Sequence, residues 1–167
     1  MISIAIFMDA MQRKEEVEVR DYFIQEFNKN GIEVTEDLNK IRNAILVYNT
    51  ETGITPDFEK KSKQLIEMNI KPIVLIFNAQ RTDVDYQRID TDISKSWGDI
   101  NSELYISSPI KFYFDLDTRI AYQVKTGEEK GISELIDTIK NVKTMHFFDW
   151  NFQKEKLPVI RVVFSCN

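Results

Sequence analysis

Cysteine is nearly missing from this chain: Cys166 is the single one among 167 residues. One thiol cannot close an internal disulfide, so a disulfide-stapled secreted fold is excluded and a reducing, cytoplasmic setting is expected. Histidine is as scarce. His146 stands alone, with no Cys, Ser or Asp constellation around it, and reads as a packed or surface imidazole. Glycine numbers five and proline four, which matters because phosphate-cradling loops use glycine to bring backbone N–H groups close to a ligand. No apolar run approaches the roughly 20 residues that span a bilayer, and no cleavable leader pattern opens the chain, so no membrane partner is expected. The 27 acidic residues outnumber 22 basic ones for a net charge of −5. With the lysines scattered, nucleic acid is not an expected partner either.

What is present is ordinary for a globular protein: 43% hydrophobic and 29% charged residues, enough chain for one well-cored domain. The informative stretch is Ala44–Arg81. Ala44–Tyr48 and Ile73–Phe77 are apolar runs rich in β-branched residues, without polar alternation, as parallel strands buried on both faces require. Between them, Thr55-Pro56 supplies a hydroxyl N-cap followed by proline at the first helical position. Phe58, Leu65 and Met68 then share one helical face, with Ile66 beside them. Strand, helix, strand of this length suits a crossover between parallel strands.

The same alternation extends both ways. Ile2–Phe7 reads as a buried strand, followed by a helix to about Asn30 with Val19, Phe23 and Phe27 on its apolar face and Asn30-Gly31 as its stop. Gly31–Glu36 is a second strand and Asp37–Asn43 a connector. Arg81–Asn101 carries Tyr86, Ile89, Ile93, Trp97 and Ile100 at helical spacing, a surface helix with one buried stripe. Pro109–Leu116 is the next strand; a further strand starts near Ala121, before a helix striped by Ile132, Leu135, Ile136, Ile139 and Val142. The fold class expected is α/β, a three-layer α/β/α arrangement around a mostly parallel five- or six-stranded sheet. Residues 1–144 form this domain. Residues 145–167 form an extension with the aromatics Phe147, Phe148, Trp150 and Phe152, and a strand at Leu157–Ser165 whose Pro158 suits an edge. That strand is expected to cover the domain's own sheet edge or to pair with a second copy.

Two segments resemble a P-loop GTPase domain of the translation-factor or Era-like kind. Residues 45–80, ILVYNTETGITPDFEKKSKQLIEMNIKPIVLIFNAQ, are similar to the strand–turn–helix–strand that ends in the guanine-specifying Asn-Lys-x-Asp motif; here it ends Asn78-Ala79-Gln80-Arg81. The stretch YQVKTGEEKGISELIDTIKNV is similar to that family's Ser-Ala-Lys-x-Gly segment, with Lys125, Thr126 and Gly127 matching. Laid on G-x-x-x-x-G-K-[ST], the chain has Met8, Arg13, Lys14 and Glu15, so the lysine alone is kept. Side chains at Met8 and Arg13 obstruct close approach to phosphates, and Glu15 repels them. No D-x-x-G switch occurs.

The resemblance therefore implies a Rossmann-like pseudo-GTPase that works as a protein-interaction or assembly module, without catalytic residues or a cofactor. The alternative is an atypical nucleoside-triphosphate hydrolase binding GTP or GDP with Mg²⁺ through Lys14, Asn78, Lys125 and Asp83, the last replacing the missing base-reading carboxylate. A further alternative is a receiver- or TIR-like signalling module. For a receiver, Asp9 stands without a second acid after the first strand; for a TIR-type hydrolase, Glu59 is the nearest catalytic glutamate. Phe114-Asp115-Leu116-Asp117-Thr118 resembles the first motif of haloacid-dehalogenase-like phosphatases, but Thr118 follows Asp117 directly and too little chain remains for the other motifs. Of Asp83, Asp85, Asp90 and Asp92 only Asp92 has a glutamate, Glu103, at the closing distance of a calcium loop, and there serines hold the third and fifth positions and Gly98 falls one residue late.

Overall fold

Seven consecutive buried residues, Asn43–Asn49, form the strand around which the molecule is arranged. The computed structural model describes residues 2–10, 13–79, 84–97, 104–108 and 110–141. Chain order is β1 (Ile2–Phe7), α1 (Lys14–Lys29), β2 (Ile32–Val34), β3 (Asn43–Asn49), α2 (Pro56–Glu67), β4 (Ile73–Phe77), α3 (Tyr86–Ser96), β5 (Lys111–Phe114), β6 (Ala121–Gln123), β7 (Glu129–Lys130) and α4 (Ile132–Asn141). A single helical turn at 104–107 precedes β5. The fold is α/β, with a mixed and mostly parallel seven-stranded sheet in the order β2-β1-β3-β4-β5-β6-β7. Strands β1 to β5 are parallel neighbours, and β6 and β7 are antiparallel.

The pleat sends alternate side chains to opposite faces, and the two sets feed separate cores. Ile45, Val47, Ile73, Leu75, Phe112 and Phe114 pack with Val19, Phe23 and Phe27 of α1 and with Leu135, Ile136 and Ile139 of α4. Ala44, Leu46, Tyr48, Val74, Ile76 and Tyr113 pack with Phe58 and Leu65 of α2 and with Ile93 and Trp97 of α3. Thr55 caps α2 as its sequence implied: its hydroxyl accepts from the Phe58 N–H at 3.0 Å.

The expected five or six strands become seven among the described residues, because Glu129–Lys130 adds a two-residue β7 that carries no apolar signal. The strand at Ala121 runs against β5, since only residues 115–120 separate the two. That suffices for a tight turn, in which the Asp115 N–H bonds the Ile120 carbonyl at 3.0 Å and the Arg119 N–H bonds the Asp115 carbonyl at 2.9 Å, but not for a parallel crossover. The strand expected at Leu157–Ser165, the aromatics from Phe147 to Phe152, His146 and Val142 lie outside the described residues, as do Arg81, Gly98 and Ile100. Among the described residues no helix is long and apolar enough to cross a membrane.

Phe114 is fully buried, with ring centroids 4.9 Å from Phe23 and 5.4 Å from Tyr22. Truncation to alanine leaves a cavity between β5 and α1. Phe114→Ala should therefore lower unfolding free energy by about 3–5 kcal/mol, measured by urea denaturation.

Candidate functional site

The strand order reverses direction between β1 and β3. From β1 the chain crosses by α1 to β2 on one side; from β3 it crosses by α2 to β4 on the other. Because α1 and α2 pack into different cores, the carboxyl ends of β1 and β3 lie at a gap between two helix starts. Open α/β sheets bind ligands at this kind of position. A cleft of about 810 Å³ opens here, lined by Asp9, Ala10, Arg13, Thr52, Thr55, Pro56 and Asp57.

The polar groups around the cleft are already tied to one another. The Ala10 N–H donates to the Asp57 carboxylate at 2.6 Å. Lys61, one helical turn after Asp57, pairs with it at 2.9 Å and also donates to the Met8 carbonyl. The Thr55 hydroxyl donates to Asp9. Arg13 reaches across to Glu51 at 3.2 Å. Lys61 and the Ala10 N–H hold the Asp57 carboxyl below its ordinary range.

Beneath this layer sits Glu16, only 3% exposed, on the first turn of α1. The Asn49 side-chain amide, itself buried at the end of β3, donates to Glu16 at 3.4 Å and to the Thr52 hydroxyl at 3.0 Å. The Asn49 side-chain oxygen takes the Glu51 N–H at 3.1 Å. Burial pushes the Glu16 carboxyl above its ordinary value; the Asn49 hydrogen bond opposes that shift, and the nearby Asp9 charge adds to it. The cleft lining thus holds two carboxylates, Asp9 and Asp57, and one cation, Arg13, with Glu51 and Lys61 paired to lining residues and Glu16 buried behind them.

The chain matches no protein-family model, no curated protein and no solved structure. What the cleft does must therefore be argued from its own chemistry. Among the described residues no group of three or more His, Cys, Asp or Glu side chains is placed to hold a metal ion.

Of the residues singled out in the sequence, Lys14, Asn78 and Lys125 are described, and they stand apart. Lys14 is the first residue of α1, exposed, and not part of the cleft lining. Asn78 follows β4, one strand beyond the cleft, and its side-chain amide donates to the Thr50 hydroxyl at 2.8 Å while its backbone bonds the Tyr113 hydroxyl. It ties the ends of β3, β4 and β5 together. Lys125 sits at the other end of the sheet. Strand β6 runs from Ala121, opposite Phe114, to Gln123, opposite Phe112, so the turn after it lies beside the start of β5. There Lys125 adopts φ 81° and pairs with Asp90 at 3.9 Å. Gly127, in the same turn, has φ 69°, and a Cβ on it would come within 2.9 Å of the Tyr86 ring. Its glycine is required by that turn. Asp83 lies outside the described residues. Glu59 is exposed on the outer face of α2, beside Lys60 and Lys63 and away from the cleft.

Glu16 and Asn49 are the residues that sequence reasoning passed over. Glu16 was hidden in the charged run Arg13-Lys14-Glu15-Glu16. Its helical phase gave it away, since 16, 19, 23 and 27 fall on one face and the other three are core. Asn49 is a polar residue ending an apolar strand, a signal that was legible but had no partner to explain it.

A carboxyl whose folded-state pKa is raised binds its proton more tightly in the folded chain. It adds no penalty below the ordinary glutamate range, and stability falls as pH rises through the raised value. Glu16→Gln should accordingly raise the melting temperature at pH 7 and lose that gain below about pH 4. Thermal melts of both proteins across that range check the sign.

Proposed function

We propose that this chain is a non-catalytic protein-interaction or assembly module, built on a three-layer α/β/α, Rossmann-like frame and working in the cytoplasm. The observation that carries this reading is the Asp57 carboxylate on the Ala10 N–H. In a phosphate-binding loop, backbone N–H groups after the first strand point at the ligand. Here one such donor is held by the protein's own acid, and Asp9 lines the same space, with Glu51 on Arg13 and Glu16 buried behind. A polyphosphate entering this cleft meets repulsion from carboxylates at close range, with Arg13 and Lys61 already engaged. The scarcity of glycine in the loop points the same way.

The GTPase-like resemblance rests on two stretches, and only the first ends near the cleft. Asn78 and Lys125 sit at opposite ends of the sheet, so a single guanine-reading pocket formed by both has no support. A receiver- or TIR-like signalling module is the second reading, favoured by the strand order: β2-β1-β3-β4-β5, all parallel, is the flavodoxin-like order that receivers share. Strand order gives architecture and leaves chemistry to the site. Asp9 is the single acid directly following β1 in sequence, the other cleft acid, Asp57, is held by the Ala10 N–H and Lys61, and Glu59 faces away.

Calorimetry and thermal shift with GTP, GDP and ATP, each with Mg²⁺ at millimolar concentration, test the proposal. We expect no heat and no change in melting temperature. A ligand present at a hundred times its Kd would stabilise the fold by roughly 2.7 kcal/mol, an increase easily seen. Saturable guanine-nucleotide binding that Lys14→Ala abolishes would overturn the proposal and call for a hydrolysis assay.

A further inference from the structure

Strand β2 stands at one edge of the sheet. Among the described residues it pairs with β1 alone. The Thr35 N–H bonds the Ile4 carbonyl at 2.9 Å. By the two-residue alternation of a parallel ladder, the N–H groups of Ile32 and Val34 therefore point away from β1, off the edge. Such a row of backbone donors and acceptors is a template for a further strand.

The crossovers decide which edge the chain can return to. From β1 it steps to β2 through α1, which packs into the same core as α4. From β3 and from β4 it steps the opposite way, through α2 and α3, which pack into the other core. One face thus serves steps toward β2 and the other serves steps toward β7, as a single hand of crossover requires. Strand β7 runs parallel to β5, because two antiparallel pairings relate them. It leads into α4, which lies on the α1 face. A parallel strand reached through α4 with the same hand has to lie on the β2 side of β7. Every position from β6 to β2 is filled, so the open one is outside β2.

We propose that residues 157–165, LPVIRVVFS, dock as an eighth strand on the outer edge of β2, parallel to it and within the same chain. The segment has the β-branched, apolar composition that a strand needs. Residues 142–156, which link it to α4, can span about 50 Å when extended. The full width from β7 to β2 is six strand spacings of about 4.8 Å, or roughly 29 Å. Charge agrees as well: Glu33, Glu36 and Asp37 are exposed on and just after β2, and the segment and its approach carry Lys154, Lys156 and Arg161. Docked in this way, the segment covers the edge that a second copy could otherwise use for strand addition.

Cys166 is the single cysteine, so a nitroxide attached to it reports the position of the segment's end in the full chain without any substitution. In a parallel dock the label lies at the carboxyl end of β2. Amide signals of Val34, Thr35 and Glu36 should broaden more than that of Gly31, while Glu129 and Lys130 at the far edge stay sharp. An equal mixture of nitroxide-bearing chain without ¹⁵N and unlabelled ¹⁵N chain should show no broadening. Strongest broadening at Gly31 would mean an antiparallel strand, at Glu129 and Lys130 the wrong edge, and in the mixture a second copy. Each of these, or no broadening at any of these residues, would overturn the proposal. Hydrogen exchange gives a second readout. Val162→Pro and Val163→Pro are made separately, because successive N–H groups point to opposite sides and one of the two variants must remove a bond to β2. That variant should speed exchange of the Val34 N–H at least tenfold and leave Val47, in the middle of the sheet, unchanged. If both fold and neither changes Val34, the segment is not on this edge; if neither folds, the nitroxide result alone decides.

Discussion

Strand β3 has to satisfy two cores and a polar end at once, and the rest of the molecule follows from that requirement. Its side chains alternate between the cluster that contains α1 and α4 and the cluster that contains α2 and α3. A slip of one residue against β1 or β4 would exchange every one of them. With both neighbours parallel and in fixed register, Asn49 has one possible position, at the carboxyl end beside the first turn of α1. There its amide meets Glu16. A buried carboxyl without that partner would be a heavy burden on stability; with it, the polar end of β3 is closed by a connected network.

The two ends of the sheet differ in chemistry for a topological reason. At the carboxyl end the crossovers diverge, leaving a gap that carboxylates and two cations fill. At the amino end α3, the helical turn at 104–107 and the β6–β7 turn converge, so aromatic rings and lysines are pressed together around Asp90. One end pairs Arg13 with Glu51 and Lys61 with Asp57 and holds Asp9 and Glu16 on hydrogen bonds. The other sets Asp90 between the Tyr105 hydroxyl and Lys125. Lys125 belongs to the amino end and Asn78 to the carboxyl end, so the two residues singled out by the resemblance stand apart.

Most of the frame was legible in the residues. Apolar runs rich in valine and isoleucine marked β1, β3 and β4, because a strand buried on both faces leaves no room for polar alternation. Thr55-Pro56 marked the start of α2, and the Ile132–Ile139 stripe marked α4. Less visible was β7, since Glu129 and Lys130 carry no strand signal and pair only because the turn at Gly127 brings them back against β6. The direction of β6 was readable from the six residues before it, too few for a crossover, although an apolar run alone does not state its direction. The site was legible in pieces. Arg13, Thr55 and Asp9 were each visible, but as a lost glycine position, a helix cap and an isolated acid.

By itself the sequence determined the α/β alternation, the faces of the helices and the absence of a glycine-built phosphate loop, because these depend on residue type and spacing along the chain. Only the tertiary structure decided which carboxylates meet, that Asp57 occupies the Ala10 N–H, that Glu16 is buried under Asn49, and that Lys125 and Asn78 stand at opposite ends of the sheet. Those facts depend on strand order and strand direction. They join residues tens of positions apart, such as Ala10 with Asp57 and Glu16 with Asn49, and local propensity carries no information about which distant residue a side chain will face.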